Sequence, residues 1–130
     1  MEITLKNLQK KIPIPQVKIL KAAKAALRKL KAAPRVLSIV FVGTRRMRAV
    51  NKKYLKHDYV TDVLTFDLGD NIGEVIICPQ TAHANAKMYR TSTEKEIVLY
   101  VIHGLLHLTG FDDHNHRDML QMRRMEEKLI

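Results

Sequence analysis

Four of the chain's six histidines fall within the fourteen residues from His103 to His116. His103 and His107 are four positions apart. On a helix that spacing puts both imidazoles on one face, one turn apart, as two ligands of one metal ion require. Gly110 follows, and glycine readily takes the left-handed conformation that ends a helix and turns the chain back. The turn brings Asp113, His114 and His116 within reach as a third ligand. Two helical histidines, a third ligand and a water in the fourth position make an open, hydrolytic type of zinc site. Gly104 stands where zinc proteases carry their general-base Glu, directly after the first His, so proteolysis by that route is disfavoured. A bound metal still polarises a phosphoryl or carbonyl oxygen and lowers the pKa of its water to about 7. The residues identify no general base. Asp112 and Asp113 are nearest, and Asp112 reads equally well as a turn residue or as a carboxylate that orients a histidine. His57 and His83 are isolated and read as ordinary solvent or packing residues. The single cysteine, Cys78, rules out an internal disulfide and a cysteine-cluster metal site.

Charge says what the site acts on. Residues 1–56 hold 16 Lys/Arg and one acid, Glu2, for a net +15, whereas residues 57–130 net −5. A basic half joined to an acidic, histidine-rich half points to a polyanion-binding face beside a reactive centre. Phosphodiester hydrolysis satisfies both the metal pattern and the basic half. Arg45, Arg46, Arg48, Lys52, Lys53 and Lys56 are the candidate phosphate contacts. With only four Tyr and three Phe, several of them at core-like positions, little base stacking and weak sequence specificity are expected.

These side chains need a scaffold, and 130 residues suffice for one domain. The chain is 46% hydrophobic, enough for a core. No apolar run approaches a membrane span, and the first residues lack the apolar stretch of a signal peptide, so a soluble cytoplasmic protein is expected. Pro15 suits a helix start, and Leu20, Ala23, Leu27 and Leu30 recur as one face of a helix that Pro34 ends. Residues 36–42 are apolar and β-branched, a largely buried strand. Thr44 suits the N-cap of a helix over 45–55, with Met47, Val50 and Tyr54 as its buried stripe. Short strands follow at 61–66 and 74–78, with a turn at 69–71 between them. A helix runs from Pro79 to about Tyr89. Residues 93–109 form the strongest helix, with Thr93 as cap. Asn115 caps a last helix whose apolar side is Met119, Met122, Met125 and Leu129. Residues 3–8 are a possible edge strand. The expected fold is α+β: a small mixed sheet of three to four strands packed with about five helices, the zinc site at the end of a central helix, and residues 1–130 as one hydrolase-like domain.

Four ordered segments carry a family resemblance. His103-Gly-Leu-Leu-His-Leu-Thr-Gly-Phe-Asp112 resembles the signature of the YbeY-type endoribonucleases and ribosomal RNA maturation factors. Asn51 to Tyr54 resembles that family's Asn-x-x-Tyr helix, residues 61–66 its Thr-Asp-Val-Leu-Ser-Phe strand, and residues 73–82 its Gly-Asp-Ile-x-Ile-Ser-Pro-Glu-Thr-Ala segment. The resemblance implies a metal-dependent endonuclease directed at single-stranded RNA. It implies action in 3′-end maturation of small-subunit (16S) ribosomal RNA and in ribosome quality control. It further implies one zinc ion held by three histidines, and partners on the small ribosomal subunit. Three departures stand out. Asp113 occupies the place of the family's third His, with His114 one residue later. His114 is the favoured third ligand, since a loop absorbs one residue more easily than a site changes charge, and Asp113 is the alternative. Leu55, then Lys56, replace the Arg that follows the family's Tyr, and Lys lacks the bidentate fork. Asp67 stands where the family usually has Pro.

Two rival readings remain at this level. One is a non-catalytic RNA-binding ribosome-assembly factor with a structural metal. The other is a metal-dependent hydrolase of peptides or small molecules, against which Gly104 and the basic half argue.

Overall fold

The computed structural model describes residues 1–130 and has the α+β architecture expected. Nine elements follow in order: β1 (Glu2–Asn7), α1 (Gln16–Lys29), β2 (Val36–Phe41), α2 (Thr44–Leu55), β3 (Val63–Asp67), β4 (Ile72–Ile77), α3 (Pro79–Tyr89), α4 (Thr93–Leu108) and α5 (His116–Leu129). The sheet order is β1-β2-β4-β3. β1, β2 and β4 run parallel, and β3 returns antiparallel to β4 through a tight turn. Asp70 and Asn71 both take positive φ in that turn, a conformation these two residue types tolerate better than most.

Alternation along the strands separates two cores. Leu37, Ile39, Phe41, Val75 and Ile77 face a large core shared with α1, α4 and α5. Val40, Ile76 and Leu64 face the other way, onto Met47 of α2 and Cys78. Both faces of the sheet are therefore covered, which is why residues 36–42 read as a continuous apolar run. α4 lies at the centre of the larger core: Ile97, Tyr100, Val101, Ile102, Leu105 and Leu106 are all buried.

Some details differ from the sequence reading. The edge strand at the N-terminus forms, paired residue for residue with β2 from Glu2↔Val36. β4 starts at Ile72 rather than 74, paired with β2 from Ile72↔Val36, and Gly73 lies inside the strand under Leu108, where a Cβ would lie 2.8 Å from a Leu108 methyl. The buried face of α1 is Ile19, Ala23, Ala26 and Leu27, so Leu20 and Leu30 fall at its margins. Gly43, not Thr44, is the N-cap of α2. On α2 the buried pair is Met47 and Asn51, and Tyr54 is 58% exposed. Asn51 is buried because its amide fastens the following loop, donating to the Tyr59 carbonyl at 3.0 Å.

Candidate metal centre

α4 is set by its ends and its packing. The Ser92 hydroxyl accepts from the Lys95 N–H at 3.1 Å and is the N-cap, so Thr93, the expected cap, is the first helical residue. Glu94 and Glu96 sit in the first turn, where the helix dipole favours acids. Near the other end Gly104 presses on the sheet: a Cβ there would meet Val75 Cγ1 at 2.7 Å and Thr65 Cγ2 at 3.2 Å. The position after the first histidine is thus filled by β3 and β4, and no carboxylate fits it. His103 and His107 leave the helix on a half-buried face beside β3.

The two histidines and one carboxylate converge. His103 Nε2 and His107 Nε2 are 3.1 Å apart, with the rings nearly perpendicular at 78°. Asp113 Oδ2 lies 3.7 Å from each of these nitrogens. The point equidistant from these three atoms is about 2.0 Å from each, the bond length that zinc takes to imidazole nitrogen and carboxylate oxygen. Two neutral imidazoles and one carboxylate also suit the donor preferences of zinc and its borderline neighbours. The residues present therefore fit a metal ion. They line a cleft of about 290 Å³ together with Leu55, Thr61, Asp62, Val63, Leu64 and Thr65.

A partner absent from the sequence reading sits behind His103. Glu126 of α5 accepts from His103 Nδ1 at 2.8 Å, and its side chain is only 14% exposed. That bond places the proton on Nδ1 and leaves the Nε2 lone pair directed at the cleft, the arrangement by which a carboxylate orients a metal-binding histidine. Burial is the largest single influence on His103 and opposes its charge. The Glu126 hydrogen bond and charge, with Asp113 and Asp62, together outweigh it and raise the pKa above the usual histidine value. Glu126 carried a readable signal. It falls four residues after Met122, on the apolar stripe of α5, where an acid needs a partner.

The other expected residues lie around this centre. His114 is 79% exposed on its side chain, with Nε2 3.3 Å from Asp112 Oδ1, and does not reach the cluster. Asp112 stands between His114 and His107, 3.8 Å from His107 Nδ1. His116 opens α5 and faces solvent. Asn115 caps α5 as expected, accepting from the Asp118 N–H at 2.8 Å. His83 is exposed and bonded to Thr93 Oγ1, while His57 stacks on Tyr59.

The basic candidates sit on α2 and the residue that ends it. Arg45, Arg46, Arg48, Lys52, Lys53 and Lys56 are all exposed. Arg48 Nε bonds Asp58 at 2.8 Å, which raises the guanidinium pKa and lowers that of the carboxyl, in both cases first through the hydrogen bond. Lys52 lies 3.8 Å from the same carboxylate. Lys56 ends α2 in the left-handed conformation. Leu55, where the resemblance expects Arg next to Tyr54, lies on the wall of the histidine cleft.

This chain is similar to known proteins over most of its length. The family described as endoribonuclease YbeY matches residues 4–130. Curated proteins called endoribonuclease YbeY include one from Chloroherpeton thalassium, 36% identical over 120 residues, covering 90% of this chain and 85% of that protein. Another, from Chlorobium luteolum, is 36% identical over 97 residues, covering 72% of this chain and 71% of its own. A solution structure of a Thermotoga maritima protein superposes with a TM-score of 0.67 at 28% identity, over 98% of this chain and 85% of that one.

Proposed function

We infer the activity from one premise, that this chain belongs to the endoribonuclease YbeY family, and propose that residues 1–130 are a single domain that cleaves single-stranded RNA at one zinc ion. The ligands are His103, His107 and Asp113. Support for this set is the convergence of their three donor atoms, which is the observation that carries the proposal. His114, the sequence-level favourite, is the alternative that the loop would have to rearrange to supply. The substrate in the cell is the 3′ region of small-subunit ribosomal RNA, handled with the small subunit and its proteins in maturation and quality control in the cytoplasm. No helix is long and apolar enough to cross a membrane.

When bound, the ion supplies Lewis acidity toward a phosphoryl oxygen and a lowered pKa for a coordinated water. The chain's own residues do the rest. Glu126 holds the His103 ring and its Nδ1 proton. Gly104 lets α4 lie against the sheet, so that His103 and His107 project from a fixed backbone. Arg45, Arg46, Lys53 and Lys56 hold phosphates flanking the scissile one, with Arg48 and Lys52 tied to Asp58. Each neutralised phosphate lowers log K by about 0.7 per decade of salt on single strands.

A second reading, an RNA-binding assembly factor whose metal is structural, is favoured by Leu55, which puts an aliphatic side chain on the cleft wall. One experiment separates the two. A labelled single-stranded RNA is incubated with zinc-loaded protein, with chelator-treated protein and with His107→Ala, and bound metal is assayed on the same samples. Cleavage by the loaded wild type alone, with all three samples folded, is the expected result. RNA that binds yet stays intact in the loaded wild type sinks the enzyme and leaves the assembly factor.

A further inference from the structure

The loop between α2 and β3 is built more firmly than its exposure suggests. Lys56 turns the chain in the left-handed conformation, and the His57 N–H donates back to the Asn51 carbonyl at 3.3 Å. The buried Asn51 amide donates to the Tyr59 carbonyl, and Arg48 bonds the Asp58 carboxylate. Three hydrogen bonds to α2 thus hold His57, Asp58 and Tyr59. What they display is an aromatic pair. The His57 and Tyr59 rings stack at 5.3 Å and 11°, the Tyr59 hydroxyl bonds His57 Nδ1 at 3.1 Å, and Tyr59 is 54% exposed. The pair is thus offered to solvent from an anchored backbone, with its outer ring faces open to a ligand.

The placement says what the pair meets. The loop is flanked by Leu55 and Thr61, which both line the cleft with His103, His107 and Asp113. Behind it stand the exposed cations of α2. A chain of phosphates running along α2 into the cleft must pass the pair, and its unpaired bases carry π-faces that stack on such rings. Several of the four Tyr and three Phe were expected at core positions, which left little for stacking. Of the tyrosines only Tyr100 is buried, while Tyr54, Tyr59 and Tyr89 are exposed. The ring of Tyr54 is already engaged, edge to face with Phe66 and beneath Lys53 Nζ.

We propose that the His57–Tyr59 pair is a nucleobase-stacking platform at the mouth of the metal cleft, taking one unpaired base of the substrate. This rests on the nuclease reading and adds a base contact to it. It makes single-strandedness a requirement of binding as well as of cleavage, since a base inside a duplex presents no free face.

The test is binding of a fluorescein-labelled single-stranded RNA to the full chain, in chelator so that the RNA stays intact, over a range of salt. Tyr59→Ala weakens binding roughly tenfold, as loss of one base–aromatic stack does, with an unchanged salt slope. Tyr59→Phe keeps the ring and binds nearly as wild type. Tyr89→Ala, an exposed tyrosine outside the cleft, binds as wild type. An RNA with a run of abasic positions weakens wild type as much as Tyr59→Ala does, and costs Tyr59→Ala little more. Circular dichroism of each variant confirms that it is folded. If wild type binds with a steep salt slope but Tyr59→Ala matches it, or if the abasic loss is the same in both, the platform is wrong and the nuclease reading survives. If wild type binds no single-stranded RNA, both fall.

Discussion

On one side of the cleft, His103 and His107 project from a helix packed into the large core, with Gly104 in contact with Val75 and Glu126 behind His103. On the other side, Asp113 comes from a loop whose residues 112–114 are all exposed. That loop is held only at its ends. The Phe111 N–H bonds the Leu106 carbonyl at 2.9 Å and its ring packs on the core, while Asn115 caps α5. Gly110 makes the turn between helix and loop with φ at 106°. Two of the proposed ligands are therefore placed by packing, and the third by three residues strung between two anchors. The proposed site thus has a rigid half, which would set where an ion sits, and an adaptable half, which would complete its coordination.

The sharpest way to break that contrast is to exchange the loop candidates. Asp113→Ala should weaken zinc binding by more than the roughly 10–100-fold that loss of an outer carboxylate costs, because a ligand itself is gone. His114→Ala should leave the affinity unchanged. Isothermal titration against a competing chelator reads both. The reverse order of effects would mean that the loop refolds around the ion and that His114 is the ligand.

The same contrast explains what could be read from the chain. His103 and His107 were legible because helical periodicity decides which residues share a face. Gly104 was legible as the missing Glu of a protease, although the reason for it, the close approach of Val75, needs the sheet. The choice between Asp113 and His114 was not legible, since a loop has no period and a shift of one residue exchanges its pointing side chains. The helices α3 and α4 and the cap at Asn115 were read nearly to the residue, or to within one, because Pro, Gly and Asn mark such ends locally. The start of β4 was missed because pairing with Val36, distant in the chain, carries the strand back to Ile72. Tyr54, expected on the buried stripe of α2, is exposed for the same kind of reason. Its ring lies edge to face with Phe66 of β3, a neighbour that helical periodicity alone does not supply.

A smaller effect sharpens the rigid side. Glu126→Ala should lower zinc affinity about 10–100-fold, because His103 then loses its fixed ring orientation and its defined Nδ1 proton. Glu126→Gln should lose less, since the amide oxygen can still accept from Nδ1. Titration of both variants, with thermal unfolding of the metal-free forms alongside, checks this. An affinity equal to wild type in Glu126→Ala would show that packing alone positions His103.

The smallest effect concerns the metal-free protein and has a definite sign. His103 has a pKa raised by Glu126, Asp113 and Asp62 against its burial. Between the unfolded value of about 6.5 and the raised folded value, the native chain binds more protons than the unfolded one. The stabilisation from protonated His103 is therefore complete below about 6.5 and disappears as pH rises through the folded pKa. Glu126→Gln removes the carboxylate charge and weakens the hydrogen bond it makes, so the stability gap between wild type and this variant should shrink as pH increases across that window. Urea unfolding of both proteins in chelator, at several pH values, measures the gap. Zinc binding should move the opposite way, tightening as pH rises, because the ion displaces protons from its ligands. A gap that stays level or widens with pH would mean that Glu126 holds α5 against α4 by packing and does not hold a proton on His103. The rigid half of the cleft would then owe its geometry to the core alone.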